Sequence, residues 1–152
     1  MLIVEPADPR APGPRALIEA GHALMQEMFP PEDNHFLDID ALAAPDIRLF
    51  AARAGAEVLG TGALALREGY GEIKAMFTAP AARGLGVGAA LVRAIEDEAR
   101  AHALACLRLE TGRGLDAAIR LYRRAGFAPC AAFGDYRPNP SSVFMEKRLG
   151  AG

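Results

Sequence analysis

The chain has 152 residues, 51% of them hydrophobic and 24% charged, and a formal net charge of −2. That is enough chain for one domain spanning residues 1–152 with its own core, and the mixed charge, without a basic stripe, argues against a nucleic-acid partner. No apolar run is long enough for a membrane span and the start MLIVEPADPR lacks a signal-peptide layout, so a cytoplasmic protein with no membrane partner is expected.

In chain order, Leu2–Val4 are apolar, and a Pro/Gly-rich stretch, PADPRAPGP, follows. Leu17, Ile18, Leu24, Met25 and Met28 then repeat on one side of a predicted helix that Pro30 and Pro31 end. EDNHFLDIDAL suits a second short helix capped by Asp33 or Asn34. IRLFAAR and EVLGTGALAL are predicted to form a hairpin turning at Ala54-Gly55, and GEIKAMFT a third strand stopping at Ala79-Pro80. Leu91, Val92, Ile95 and Ala99 mark a helix running through Arg100, and ACLRLET is the next strand. A helix from about Asp116 to Ala125 stops at Gly126, and FAPCAAF and SSVFMEKRL supply two further strands. The alternation in the second half predicts a mixed α/β sheet. Cys106 and Cys130 have no zinc or redox spacing and are expected to be buried thiols, with no metal site.

The stretch RGLGVGAALV, Arg83 to Val92, sets glycines at 84, 86 and 88 immediately before a helix. Bare peptide N–H groups at a helix N-terminus favour a phosphate. A Walker A loop would end in Gly-Lys-Ser/Thr, and here the end is Gly88-Ala89-Ala90. The dinucleotide fingerprint GxGxxA is satisfied by Gly84, Gly86 and Ala89, with Glu110 closing the next strand. Against it, Thr78 to Arg83 separate the glycines from the preceding strand, and too little chain follows Glu110 for the rest of a doubly wound sheet.

Arg83-Gly-Leu-Gly86-Val-Gly88 resembles the Arg/Gln-x-x-Gly-x-Gly/Ala motif of the GNAT superfamily of acetyl-CoA-dependent N-acetyltransferases. The resemblance extends upstream through GEIKAMFTAPAA and downstream through LRLETG and AAIRLYRRAGF, covering roughly residues 45–149. It departs at Leu115, where many members carry Asn. It implies a mostly antiparallel central sheet with a parallel central pair, flanked by helices. It also implies acetyl-CoA as co-substrate, with the pyrophosphate on the N–H groups of Gly84, Leu85, Gly86, Val87, Gly88 and Ala89 and pantetheine along Met76, Phe77 and Thr78. Arg83 would neutralise phosphate charge or cap the turn.

An ordinary amine, with a pKa near 10, needs a base at neutral pH. Glu72 and Glu110 both occupy positions where members of the family place one, and Tyr122 is the candidate acid for the leaving thiolate. The acceptor pocket is expected from Phe29, His35 and Phe36 together with Phe133, Tyr136 and Arg137, an aromatic enclosure with polar handles. The expected function is acetyl transfer to a small-molecule amine, with a possible homodimer as in many relatives. An acyl-CoA-binding regulatory module without turnover and a protein N-terminal or lysine acetyltransferase are the alternatives.

Overall fold

The structure is a computed structural model that describes residues 1–150. Seven strands form one sheet: β1 (Leu2–Pro6), β2 (Ile47–Ala54), β3 (Glu57–Leu66), β4 (Gly71–Thr78), β5 (Cys106–Gly112), β6 (Ala128–Pro129) and β7 (Ser142–Arg148). Their order across the sheet is β1-β2-β3-β4-β5-β7-β6. Every neighbouring pair is antiparallel except β4 and β5, which run parallel. The helices are α1 (Pro12–Met28), α2 (Ile39–Leu42), α3 (Val87–Ala101) and α4 (Asp116–Arg124).

The two faces of the sheet hold separate apolar clusters, as a two-sided sheet requires. On one face Leu91, Val92, Ile95 and Ala99 of α3 pack with Leu64, Ile73, Leu107, Leu109 and Met145, and Tyr122 of α4 joins them. On the other, Ile18 of α1 and Leu42 of α2 cover Ile47, Leu49, Ala63 and Ala65. Alternation along β5 therefore sends Leu107 and Leu109 toward α3 and turns Arg108 and Glu110 toward the α1 side.

Several expectations from sequence are corrected. The first helix begins inside the Pro/Gly-rich stretch, with Pro12 and Pro14 in its first turn, where a missing N–H breaks no helical bond. Met28, assigned to its inner side, is exposed. The second helix is only Ile39–Leu42, and its cap is Asp38, which accepts from the Ala41 N–H at 2.7 Å. Asp33 instead ends a 3-10 turn, Pro31–Asp33, and Asn34 to Leu37 form a strap between turn and helix. Of FAPCAAF only Ala128–Pro129 pairs as a strand, since Pro129 has no N–H for a ladder and the chain turns away before Gly134 at φ 57°. Cys106 and Cys130 are half-buried, not fully buried.

Candidate active site

The parallel pairing that joins the halves of the sheet is short: Gly71 with Leu107, Glu72 with Arg108 and Ile73 with Leu109. Beyond Ile73 the strands part. The cause lies in β4, where Ala75 takes a left-handed φ of 56° and the register against β3 shifts between Thr61 and Ala63. Gly62 of β3 sits under this bulge because a Cβ there would strike the Met76 sulfur. The Thr61 hydroxyl donates to the Ala75 carbonyl at 2.9 Å and holds the distortion in place.

β4 then leads through a 3-10 turn, Pro80–Ala82, into the glycine loop. Gly84 and Gly86 both have φ 81°, and an added Cβ at either would meet nothing within 4 Å. Among the described residues, no backbone hydrogen bond uses the N–H groups from Gly84 to Ala89; the first α3 bond is Ala90 N–H to the Gly86 carbonyl. The helix also has no side-chain cap. The loop is a cradle of unpaired donors at a helix N-terminus, open to solvent, which is the arrangement an anion needs. Arg83 is exposed beside it, Leu85 stands 67% exposed, and Val87 is buried in the core. Gly88 permits close packing of α3 on α4, where a Cβ would come within 2.8 Å of Leu121.

A cavity opens where β4 and β5 separate, roofed by α1 and the strap. Met76 and Phe77 line it from β4, Glu110 from β5, Tyr122 from α4, and Phe29, His35 and Phe36 from the α1 end and the strap. Thr78 lies beyond its lining. Glu110, with 14% of its side chain exposed, accepts at Oε2 from Ser142 Oγ (2.6 Å) and is 2.6 Å from His35 Nδ1. A carboxylate only accepts, so this bond assigns the imidazole proton to Nδ1. Tyr122 is buried, burial pushes its pKa up, and its hydroxyl makes no hydrogen bond among the described residues.

The structure puts the remaining predicted residues elsewhere. Glu72 is outside the cavity lining with only 3% of its side chain exposed, accepting from Arg67 Nε at 3.2 Å and from the Tyr136 hydroxyl, with Lys74 Nζ 3.6 Å away. Its lone pairs are spent on holding three elements together. Burial first, and then the bond to Glu72, push the Tyr136 pKa up. Phe133 is buried outside the cavity lining in an aromatic cluster with Tyr70, Tyr136 and Phe144. Tyr136 is outside the cavity lining and meets the site by setting its ring edge-on to His35, 5.2 Å between centroids, and by its hydroxyl contact with Lys74. Arg137 is exposed and does not line the cavity.

Several lining residues escaped the sequence reading, His22, Lys74 and Ser142 among them. His22 of α1 stacks on Phe36 at 4.1 Å, and burial lowers its pKa. Lys74 donates to the His35 carbonyl and the Tyr136 hydroxyl. Ser142 reaches Glu110 only through the β5-β7 register. A polar His22 among the apolar positions of α1 was the one signal in sequence; the others depend on pairing across the sheet. Among the described residues no cluster of His, Cys, Asp and Glu could hold a metal, and no helix is long and apolar enough to cross a membrane.

The family model described as the acetyltransferase (GNAT) family matches residues 18–127, from α1 through the turn after α4. This chain belongs to the GNAT acetyltransferase family. The acetyltransferase is 49% identical over 135 residues, 88% of each chain, to a protein of Azospirillum brasilense named IAA acetyltransferase. A Klebsiella pneumoniae structure, a candidate acyl-CoA N-acyltransferase, superposes with a TM-score of 0.83 at 35% identity over 99% of both chains. The fold is also that of yncA from Salmonella typhimurium, solved with its cofactor acetyl-CoA (TM-score 0.74, 18% identity, 99% of this chain and 95% of that one).

Proposed function

We propose that this acetyltransferase carries the acetyl group of acetyl-CoA to the amine of a small molecule, by direct attack while both are bound. The observation that carries the reading is continuity. β4, whose Met76 and Phe77 face the cavity holding Glu110 and Tyr122, runs through one short turn into the unpaired N–H groups of Gly84–Ala89. The cradle would take the pyrophosphate, with Arg83 adding positive charge, and the freed edge of β4 at Met76, Phe77 and Thr78 would pair with the amides of pantetheine. That directs the thioester into the cavity.

The nucleophile must lose a proton, since only about one amine in a few thousand is neutral at pH 7 for an ordinary pKa of about 10.4. Glu110, in the cavity, is the carboxylate of that step, and Glu72 serves as a structural ion-pair centre. Tyr122 donates its hydroxyl hydrogen to the departing sulfur. Because burial raises its pKa, the proton is present throughout the working range. Phe29, Phe36 and His22 enclose the acceptor, which suits a compact amine with an apolar body better than a folded protein surface. A relative 49% identical is named IAA acetyltransferase, a name that points to a non-protein acceptor. Thiol release from acetyl-CoA, followed over a panel of free amines with product mass measured, tests the reading. Acetylation confined to proteins or their N-terminal peptides would move the acceptor to a macromolecule.

A further inference from the structure

We propose that His35 Nε2 takes the proton from the acceptor amine and that Glu110 acts through it as the positioning residue; this rests on the acetyl-transfer reading above. Glu110 Oε2 is already engaged by Ser142 Oγ and by His35 Nδ1, each at 2.6 Å. The ring's other nitrogen has no hydrogen-bond partner among the described residues, and the ring lines the cavity with 28% of the side chain exposed. In the neutral ring with its proton on Nδ1, Nε2 carries the lone pair and is the unengaged acceptor of the pair.

The ring is held from several directions. Lys74 Nζ donates to the His35 carbonyl at 3.0 Å, and the Tyr136 ring meets the imidazole edge-on. The strap carrying His35 is tied down one turn earlier, where Ser141 Oγ donates to Asp33. The charged and titratable groups around it are thus Glu110 from β5, Lys74 and the Glu72 behind it from β4, Tyr136 from the loop before β7, Asp33 from its own segment, and, on the same cavity wall, His22 from α1 and Tyr122 from α4. As the imidazole charges, the carboxylate at 2.6 Å stabilises the imidazolium, which a lone base would lack.

The step balances. The amine nitrogen bonds to the thioester carbonyl carbon, and its surplus proton passes to His35 Nε2. The C–S bond then breaks with its electron pair on sulfur, which takes the Tyr122 hydroxyl proton. Solvent removes the proton from His35 and restores one to Tyr122, giving amide and free thiol with an unchanged enzyme.

Two measurements test this. His35→Gln keeps a donor for Glu110 but cannot accept a proton, so kcat/KM for 2-phenylethylamine should fall about 100-fold. The rise of rate with pH expected of the native protein should flatten, while the thermal shift with acetyl-CoA stays. In two-bond 1H–15N spectra of the native protein with acetyl-CoA, His35 should show the Nδ1–H tautomer, lost in Glu110→Gln. An unchanged rate and pH profile in His35→Gln, or an Nε2–H tautomer in the native complex, overturns the role of His35 alone. Absence of thiol release by the native protein with any amine of the panel overturns the acetyl-transfer reading beneath it.

Discussion

Gly86→Glu separates the anion cradle from the rest of the molecule. Gly86 sits at φ 81° and ψ 13°, so any side chain there costs about 1–2 kcal/mol of backbone strain, and its Cβ would meet no neighbour within 4 Å. For a domain of this size that is a fall in Tm of about 2–8 °C without ligand. Acetyl-CoA at about a thousandfold its Kd should stabilise the native protein by about 4 kcal/mol, a rise of about 8–16 °C. The added carboxylate lies against the unpaired N–H groups of Gly84–Ala89, competes for them and repels the pyrophosphate, so the rise should vanish. Gly55→Glu is the control: its φ of 59° imposes similar strain and the same charge, but at the β2-β3 hairpin. Differential scanning fluorimetry with and without acetyl-CoA reads both. A full shift in Gly86→Glu, or an equal loss in Gly55→Glu, would refute the assignment of the cradle.

Tyr122→Phe should lower turnover about 100-fold and leave the acetyl-CoA thermal shift intact, as steady-state kinetics and melts will show. Glu110→Gln should lower kcat with little change in Tm. Glu72→Gln should do the reverse, losing about 3 kcal/mol, because the nearly buried Lys74 would keep its charge without its carboxylate. Tyr122, Tyr136 and Tyr70 all have raised pKa values from burial, so above about pH 10 the unfolded chain ionises first, and stability should fall as pH rises through that range. Melts of Tyr122→Phe should show a shallower alkaline decline. Arg137→Ala should leave KM unchanged for acceptors with and without a carboxylate, since Arg137 is exposed outside the cavity lining.

The local rules that were legible in sequence concern periodicity and turns. The β2-β3 hairpin at Ala54-Gly55, the strand ending before Pro80 and the α3 and α4 helices lie where alternation, glycine and proline put them. Positions set by long-range pairing were not legible. Nothing local says that Ser142 lies beside Glu110 or that His35 crosses to β5, because both follow from β7 and the strap packing on a strand far away in sequence. Nor does composition separate Phe133, which fills the core, from Phe36, which lines the cavity. The aromatic and polar mixture of FGDYRPNPSS suggested a pocket wall, whereas Phe133 and Tyr136 anchor that loop on Glu72 and β7. Of the two carboxylates, burial by Arg67 and Lys74 is what distinguishes Glu72, and that too is a fact of packing.

The brevity of the β4-β5 pairing has a mechanical consequence. With only Gly71–Ile73 laddered to Leu107–Leu109, the sheet is two plates, β1-β2-β3-β4 and β5-β7-β6, stitched along one end of a shared seam. A ligand laid into the open part of that seam and hydrogen-bonded to the β4 edge would take the place of a missing strand, so binding would finish the sheet as well as load the enzyme. Backbone amides of Met76 to Thr78 facing the seam should then exchange with solvent quickly in the free protein and slow on loading, and the angle between the plates should tighten with them.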